Sequence, residues 1–184
     1  GQMGGGVMVS DIRRFNLEFI DNRYRSELAS ASEFNMKYQV LSQTETLLSE
    51  IGDDGLISKL DFFWNSWQTL SAEPDSLTYR ADVVEKSKDL ASAFNRRAIQ
   101  LREQQSDLDL QIKQTVQEIN EIAEQIAVIN KEVALVKSVG DNPNDHLDER
   151  DRLLDRLAEI AGATSHTQDN GETMVSIYGH ALVF

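Results

Sequence analysis

The histidines and the acidic loop residues could bind a metal ion, but their spacing does not favour one. Three histidines are present: His146, His166 and His180. They lack the short spacings of metal sites, although residues distant in sequence can meet in a fold. The acidic loop 141–145 resembles the start of a calcium loop, but its third position is Pro143 and its twelfth, normally a glutamate, is Arg152. We therefore expect no metal site and no cofactor.

Acid and base catalysis is not indicated either. Around position 150, carboxylates alternate with arginines: Asp148, Glu149, Arg150, Asp151, Arg152, Asp155 and Arg156. These spacings favour ion pairs on a helix surface. The glycines from Gly4 to Gly6 lack the lysine and the preceding strand of a phosphate-binding loop. Because no nucleophile has a recognisable partner base, we expect no catalytic residue and no enzymatic activity.

Composition narrows the classes of partner. The 184 residues are 40% hydrophobic, which is enough to bury a core, and they include no cysteine that could form a disulfide. Asp and Glu outnumber Lys and Arg by 31 to 18, so the net charge of -13 would repel a nucleic acid. No stretch approaches the roughly 20 apolar residues of a bilayer span. We therefore expect neither a nucleic acid nor a membrane as partner.

The strongest pattern is a coiled-coil seam in the second half of the chain. Its residues are spaced alternately four and three apart: Leu108, Ile112, Thr115, Ile119, Ile122, Ile126, Ile129, Val133 and Val136. No proline or glycine interrupts the pattern before Gly140, and Asp75 or Ser76 could cap its start. Upstream residues extend the stripe with one register shift near Ala98: Val83, Ser87, Leu90, Phe94, Ala98 and Leu101. Together they predict one helix over residues 76–139, on the order of 80 Å long, and hence an elongated molecule.

Another long helix is predicted over residues 10–51, after an initial segment of residues 1–9. Ser10 or Asp11 could cap it, and the turn residues Gly52 to Gly55 would end it. Its apolar stripe makes it the natural antiparallel partner of the seam, although self-association through the seam is an alternative.

Two short helices complete the predicted helical domain, which covers residues 10–162. One spans residues 56–71 and ends before a proline. The other spans residues 145–161, with Asn144 or Asp145 as its N-cap and Gly162 as its terminator.

The helix over residues 56–71 is rich in aromatic side chains. Its apolar stripe consists of Leu56, Leu60, Phe63, Trp67 and Leu70. We expect this stripe to be buried as core. Phe62 and Trp64 leave the stripe, so they are the candidates for contact with a neighbouring subunit.

After Gly162 the apolar period changes to two. Strands are predicted over residues 173–178 and 181–184, and Asn170-Gly171 favours a tight hairpin turn after residues 163–168. We expect residues 163–184 to begin a β-rich region that continues beyond Phe184. The predicted fold is thus mainly α, an elongated antiparallel bundle or coiled coil of long helices with two short helices, followed by this region.

Three segments resemble one known family. They are Asp61-Phe-Phe-Trp-Asn-Ser-Trp-Gln-Thr-Leu-Ser71, Ile119-Asn-Glu-Ile-Ala-Glu-Gln-Ile-Ala-Val-Ile-Asn130 and Asn142-Pro-Asn-Asp-His-Leu-Asp-Glu-Arg-Asp151. In order and spacing they are similar to the first hook-associated proteins of bacterial flagella, the FlgK family. Gly6-Val-Met-Val9, with residues such as Arg14 and Arg25, is similar to the start of the family's first long helix. The chain departs from the family pattern at four positions: Asn16, Leu17, Arg23 and His146.

The resemblance implies a structural function. It implies a subunit exported unfolded through the flagellar type III pathway, without a cleaved leader, and assembled as a ring at the hook-filament junction outside the cell. The implied partners are the hook protein, the second hook-filament junction protein, neighbouring copies, and an export chaperone bound through segments outside this chain. The alternative is a generic secreted coiled-coil interaction module of another appendage or effector, which would explain the seam but not the aromatic and Asn142 segments together.

Overall fold

The computed structural model of the chain describes residues 17–48, 55–168 and 170–183. In these residues it has four helices and three strands: α1 (Glu18–Leu48), α2 (Leu56–Ala72), α3 (Leu77–Ser138), α4 (Asn144–Ala161), β1 (Thr164–Thr167), β2 (Thr173–Ile177) and β3 (His180–Val183). The predicted class, mainly α with a β region at its end, is confirmed. The predicted initial segment 1–9, the first helix cap and that helix's end near residue 51 lie outside the described residues.

The ends of α3 follow from side-chain and glycine chemistry. At its start the Ser76 hydroxyl accepts a hydrogen bond from the Tyr79 backbone N–H at 3.4 Å, which satisfies one donor that the first turn leaves open. At its end Gly140 adopts φ +81°, and the Asp141 N–H donates to the Val136 carbonyl at 3.2 Å. Ser76 and Gly140 thus bound α3 as the sequence predicts.

The start of α4 differs from the prediction. Pro143, rather than Asn144 or Asp145, occupies the N-cap, and no side chain caps it. The reason is that the Pro143 carbonyl already accepts from the Leu147 N–H at 3.0 Å, so the helical ladder begins one residue earlier. The predicted terminator is confirmed, because Gly162 adopts φ +61° and donates its N–H to the Ala158 carbonyl.

The three strands form an antiparallel sheet in the order β1-β2-β3. The first hairpin has Asn170-Gly171 in its turn, as predicted, and Gly171 adopts φ +89° there. The second turn was not identified from the sequence. It consists of Tyr178 and Gly179, both with positive φ, the geometry that matches the twist of a two-residue hairpin.

The chain divides into two compact units, unit 1 (residues 1–33 and 115–184) and unit 2 (residues 34–114). The core of unit 1 joins α3, α4 and the strands: Ile122, Ala123, Ile126, Leu154, Leu157, Ala163, Val175 and Val183. Among the described residues of unit 2, only Val83 and Ala93 are buried apolar side chains. Among the residues that the structure describes, the hydrophobic stabilisation is therefore concentrated in unit 1.

The seam residues of α3 differ in burial along the helix. Four of them are buried in unit 1: Ile122, Ile126, Ile129 and Val133. Four others are half-buried: Leu108, Thr115, Ile119 and Val136. Ile112 is 61% exposed. The apolar residues packed around Ile122 and Ile126 come from α4 and the sheet, whereas α1 was the predicted partner. In unit 2, α1 does lie beside α3, since Gln104 Nε2 donates to Thr44 Oγ1 at 3.0 Å.

Candidate interaction surface

A buried arginine joins three elements of unit 1. Arg25 of α1 donates through Nε to Asp155 Oδ1 at 2.7 Å and through Nη2 to Asp151 Oδ1 at 3.1 Å, both on α4. Its Nη1 also donates to the Ser165 hydroxyl of β1 at 3.3 Å. Since charge-assisted bonds to a desolvated guanidinium are strong and directional, Arg25 fixes α1 against α4 and β1 within this unit.

A second polar cluster holds the first hairpin. The Asn130 side-chain amide of α3 donates to the Thr173 carbonyl at 2.9 Å and accepts from the Thr173 N–H at 3.1 Å. Arg150 Nη1 of α4 donates to Asn130 Oδ1 at 3.1 Å and to the Gly171 carbonyl at 2.8 Å. Asn130, Arg150 and Thr173 are all buried, so this cluster replaces water as the partner of the hairpin backbone.

The interpretation of the arginines around position 150 as surface ion-pair partners is wrong for Arg150. Arg150 is buried because it lies one helical turn before Leu154, which with Leu157 belongs to the buried stripe of α4. The spacing of 150, 154 and 157 is the signal that could have identified it. For Arg152 and Arg156 the interpretation is correct, since Arg152 pairs with Glu149 and Arg156 with Glu159.

Arg156 also reaches α3. Its Nε donates to Glu118 Oε1 at 2.7 Å, and this hydrogen bond, together with the opposite charge, lowers the pKa of the Glu118 carboxyl. The same hydrogen bond to Glu118, with that to Glu159, raises the pKa of the Arg156 guanidinium. The pair is exposed, so it orders surface side chains rather than forming a reactive site.

The histidines do not come together. His146 Nδ1 lies 3.2 Å from Glu132 Oε2, and His166 Nδ1 lies 3.4 Å from Glu18 Oε1, while His180 is exposed on β3. Within residues 17–48, 55–168 and 170–183, no group of three potential ligands could hold a metal ion. None of the helices in that part of the chain has both the length and the apolar character of a membrane span.

The aromatic cluster of α2 is largely exposed. Phe63 is half-buried and packs edge-on against Trp64 and Trp67, with ring centroids 5.1 and 6.3 Å apart respectively. Trp64 is 61% and Phe62 38% exposed, so both predicted contact residues reach the surface. The expectation that Trp67 is a core residue is wrong, since it is 47% exposed. The physical reason is that the described residues of unit 2 supply little buried apolar surface to cover it.

Phe62 and Trp64 do not share one face of α2. Residues two apart on a helix are separated by about 200° around its axis, so these side chains flank the stripe on opposite sides. The two side chains therefore face different sides of α2.

The sequence model of the family described as "Flagellar hook-associated protein FlgK helical domain" matches residues 41–184. The chain belongs to the FlgK family. The matched range includes all three segments on which the resemblance was based. The recognition of the family from sequence is thus confirmed.

Individual FlgK relatives extend the match to the whole chain. Flagellar hook-associated protein 1 of Bacillus subtilis is 36% identical over 180 residues, which cover 97% of this chain and 36% of that protein. The protein of the same name from Escherichia coli is 31% identical over 186 residues, covering 100% of this chain and 34% of its own length. This chain thus spans about a third of the length of these relatives.

A solved structure agrees with the fold. The flagellar hook junction protein FlgK from Burkholderia pseudomallei superimposes with a TM-score of 0.81, covering 89% of this chain and 29% of that one at 24% sequence identity. The arrangement of long helices and a small sheet is therefore a FlgK-like fold.

Proposed function

We propose that this chain is part of a structural subunit that joins the hook of the bacterial flagellum to its filament. The subunit is a mechanical adaptor without catalytic activity, secreted and assembled as an extracellular ring. Its partners are the hook protein, the second hook-filament junction protein and neighbouring copies, with an export chaperone bound through segments outside this chain. Family membership is the observation that carries this proposal, because the relatives are named as hook-associated proteins.

The surface chemistry supports assembly with other proteins. Exposed large apolar side chains occur on α1, α2 and α3, among them Phe34, Trp64 and Val128. On α2 the exposed Trp64 and Trp67 both pack against Phe63, and an exposed apolar cluster is typical of proteins that bury it against partners. We propose Phe62 and Trp64 as subunit contacts, since large aromatic anchors supply much of the binding energy of interfaces. The net charge of -13 continues to argue against a nucleic acid partner.

The seam of α3 has a mechanical function in this proposal. Its buried residues in unit 1, such as Ile126 and Val133, hold α3 to its neighbours, while Arg25 and Asn130 add directional bonds at the same unit. Load transmitted along a helix is resisted where packing and hydrogen bonds fix it. We propose that the exposed and half-buried seam residues Ile112 and Leu108 bury their side chains in the assembled subunit.

Immunogold electron microscopy of intact flagella tests the proposed location. Antibody raised against this chain should label a single band where the hook meets the filament. Labelling elsewhere or nowhere, with the epitope shown to be accessible on dissociated flagella, would leave only a generic secreted coiled-coil interaction module.

Single alanine substitutions in the full-length protein test the contacts. Trp64→Ala and Phe62→Ala should each reduce the number of flagella with filaments by more than the control variant does, at a comparable thermal stability of the purified proteins. Phe94→Ala is the matched control, because Phe94 is a similarly exposed aromatic residue (52%) outside the proposed contacts. An equal loss in all three variants would argue against a specific function of α2.

A further inference from the structure

The charge of α3 changes sign along its sequence. Between residues 86 and 102 it carries five cationic side chains and one acidic one, Asp89: Lys86, Lys88, Arg96, Arg97 and Arg102 are the cations. Between residues 103 and 124 it carries six Asp or Glu residues and one cation, Lys113. A chain with a net charge of -13 therefore presents one distinctly basic stretch.

The basic stretch includes an exposed surface with an apolar centre. Arg96, Ile99 and Arg102 follow one another at spacings of three, which places them along one flank of α3 in unit 2. All three are exposed, Ile99 by 53%. Neither Arg96 nor Arg102 has an ion-pair partner among the described residues. We call these three residues the basic face.

An acidic groove in unit 1 has the complementary composition. Glu121, Glu124 and Val128 of α3, together with Glu149 of α4, line a shallow groove of about 500 Å³. Val128, among the three carboxylates, is 54% exposed. Glu121 and Glu124 have no ion-pair partner in the part of the chain that the structure describes. We call these four residues the acidic groove.

Ile99 has an arginine three residues away on each side and one carboxylate, Glu103, four residues away. Val128 lies among three carboxylates and has one cation, Lys131, three residues away. The excess charge around the two aliphatic side chains is therefore opposite. We propose that the basic face of one copy of this protein docks on the acidic groove of the next copy. Two identical surfaces would repel each other, so the contact joins two different surfaces. Such a heterologous contact leaves each copy with one surface free, and it therefore propagates into a closed ring or a filament.

This inference rests on the proposed function, because it assigns surfaces to the contact between neighbouring copies. Ile99 and Val128 would meet at the centre, where they are shielded from water, and the two arginines would form ion pairs with Glu121 and Glu124 around them. Charges at the rim of a contact select the partner and its register more than they add affinity. Because exposed ion pairs are screened, the contact should weaken as the salt concentration rises.

Cysteine cross-linking in the full-length protein on intact flagella tests the contact. The 184 residues contain no cysteine, so Ile99→Cys with Val128→Cys introduces the only reactive pair in this region. Under mild oxidation the pair should give a ladder of dimers and higher multimers, and each single variant should give none. Met36→Cys with Val128→Cys is the matched control, since Met36, also in unit 2, is 53% exposed, as is Ile99.

Charge reversal tests the electrostatic part. In the Ile99→Cys, Val128→Cys background, Glu124→Arg should remove most of the ladder, and the added substitution Arg96→Glu should restore it, as expected for residues that meet directly. If the two substitutions only disturbed folding, combining them would not restore the ladder of cross-linked multimers.

The failures of the two proposals are distinguishable. If the label lies at the hook-filament junction and filaments form, but no ladder appears or the control pair cross-links equally, the docking contact is wrong and the proposed function stands. Cross-links to a different flagellar protein would overturn the contact in the same way. If the label is absent from the flagellum, the proposed function fails and the docking contact fails with it.

Discussion

The Arg25 Nε of α1 donates to the Asp155 carboxylate of α4 at 2.7 Å, across 130 positions of sequence. Arg25 is buried, whereas the two carboxylates that it contacts, Asp151 and Asp155, are partly exposed. The guanidinium therefore carries most of the desolvation cost, and the two carboxylates offset it only while both are in place. A contact of this kind makes the position of α1 in unit 1 sensitive to one side chain.

Arg25→Ala should lower the free energy of unfolding by about 2 kcal/mol, because Asp151 and Asp155 lose the buried guanidinium that contacts both of them. Urea unfolding of this chain, followed by circular dichroism, measures the change. Arg23→Ala is the matched control, since Arg23 is an exposed arginine two positions earlier on α1. We expect the control to change stability by no more than about 0.5 kcal/mol. Similar losses of unfolding free energy in the two variants would show that Arg25 contributes only its positive charge and not its specific hydrogen bonds.

The seam of α3 offers a comparison between two isoleucines. Ile122→Asp places a charge where the side chain is 6% exposed, and it should cost several kcal/mol, on the order of 3 or more, with loss of cooperative unfolding. Ile112→Asp makes the same chemical change where the side chain is 61% exposed, so its cost in the isolated chain should be small. Thermal unfolding monitored by helicity measures both. Unchanged unfolding of the Ile122 variant would refute its burial.

Helix positions were predictable because their signals are local. The four-three spacing from Leu108 to Val136, with its upstream extension and one register shift near Ala98, predicted 76–139 for α3, which spans Leu77–Ser138. Gly140 and Gly162 end helices because they adopt positive φ. The short helix predicted over residues 56–71 spans Leu56–Ala72, because its apolar stripe and the proline that follows it are also local signals. Local periodicity determines which face of a helix is apolar.

Periodicity does not determine what covers that face. The pattern could not show that α4 and the sheet, rather than α1, surround Ile122, because partner choice depends on contacts distant in sequence. The burial of Arg150 was missed for the same reason. Its charge suggested an exposed side chain, but its position places it on the buried face of α4 together with Leu154. Trp67 is the reverse case, an apolar residue that was expected to be buried and is exposed. It lies on the apolar stripe of α2, but the described residues of unit 2 supply little apolar surface to bury it.

Substitution of Asn130 tests the buried polar cluster of Asn130, Arg150 and Thr173, which fixes the first hairpin. Asn130→Ala removes both hydrogen bonds to the Thr173 backbone and one from Arg150, leaving buried backbone groups with fewer partners, so we expect a loss of about 2 kcal/mol. Hydrogen exchange of the Thr173 amide should accelerate in parallel, because its acceptor is Asn130 Oδ1. Asn120→Ala is the matched control on the same helix, where the asparagine is exposed. Unaltered exchange at Thr173 in the Asn130 variant would contradict the hydrogen bond.

The Glu118–Arg156 pair predicts a dependence on pH. The hydrogen bond from Arg156 lowers the pKa of Glu118 in the folded chain below its ordinary value of 4.5, so the folded state binds this proton more weakly than the unfolded chain. The stabilisation is therefore fully present above pH 4.5 and is lost as the pH falls through the lowered pKa. Because both side chains are exposed, its size is at most about 1 kcal/mol.

Urea unfolding of Glu118→Gln and of the unaltered chain between pH 7 and pH 3 measures this contribution. The variant should be less stable at pH 7, and the difference should shrink towards zero as the pH falls through the lowered pKa of Glu118, since protonation then removes the Glu118 charge from the unaltered chain, whereas the glutamine of the variant is neutral at every pH. Glu121→Gln is the matched control, because Glu121 is exposed on the same helix and has no ion pair within the described residues. We expect this control to match the unaltered chain at pH 7. A difference for Glu118→Gln that grows on acidification would reverse the sign and show that the carboxylate destabilises the fold.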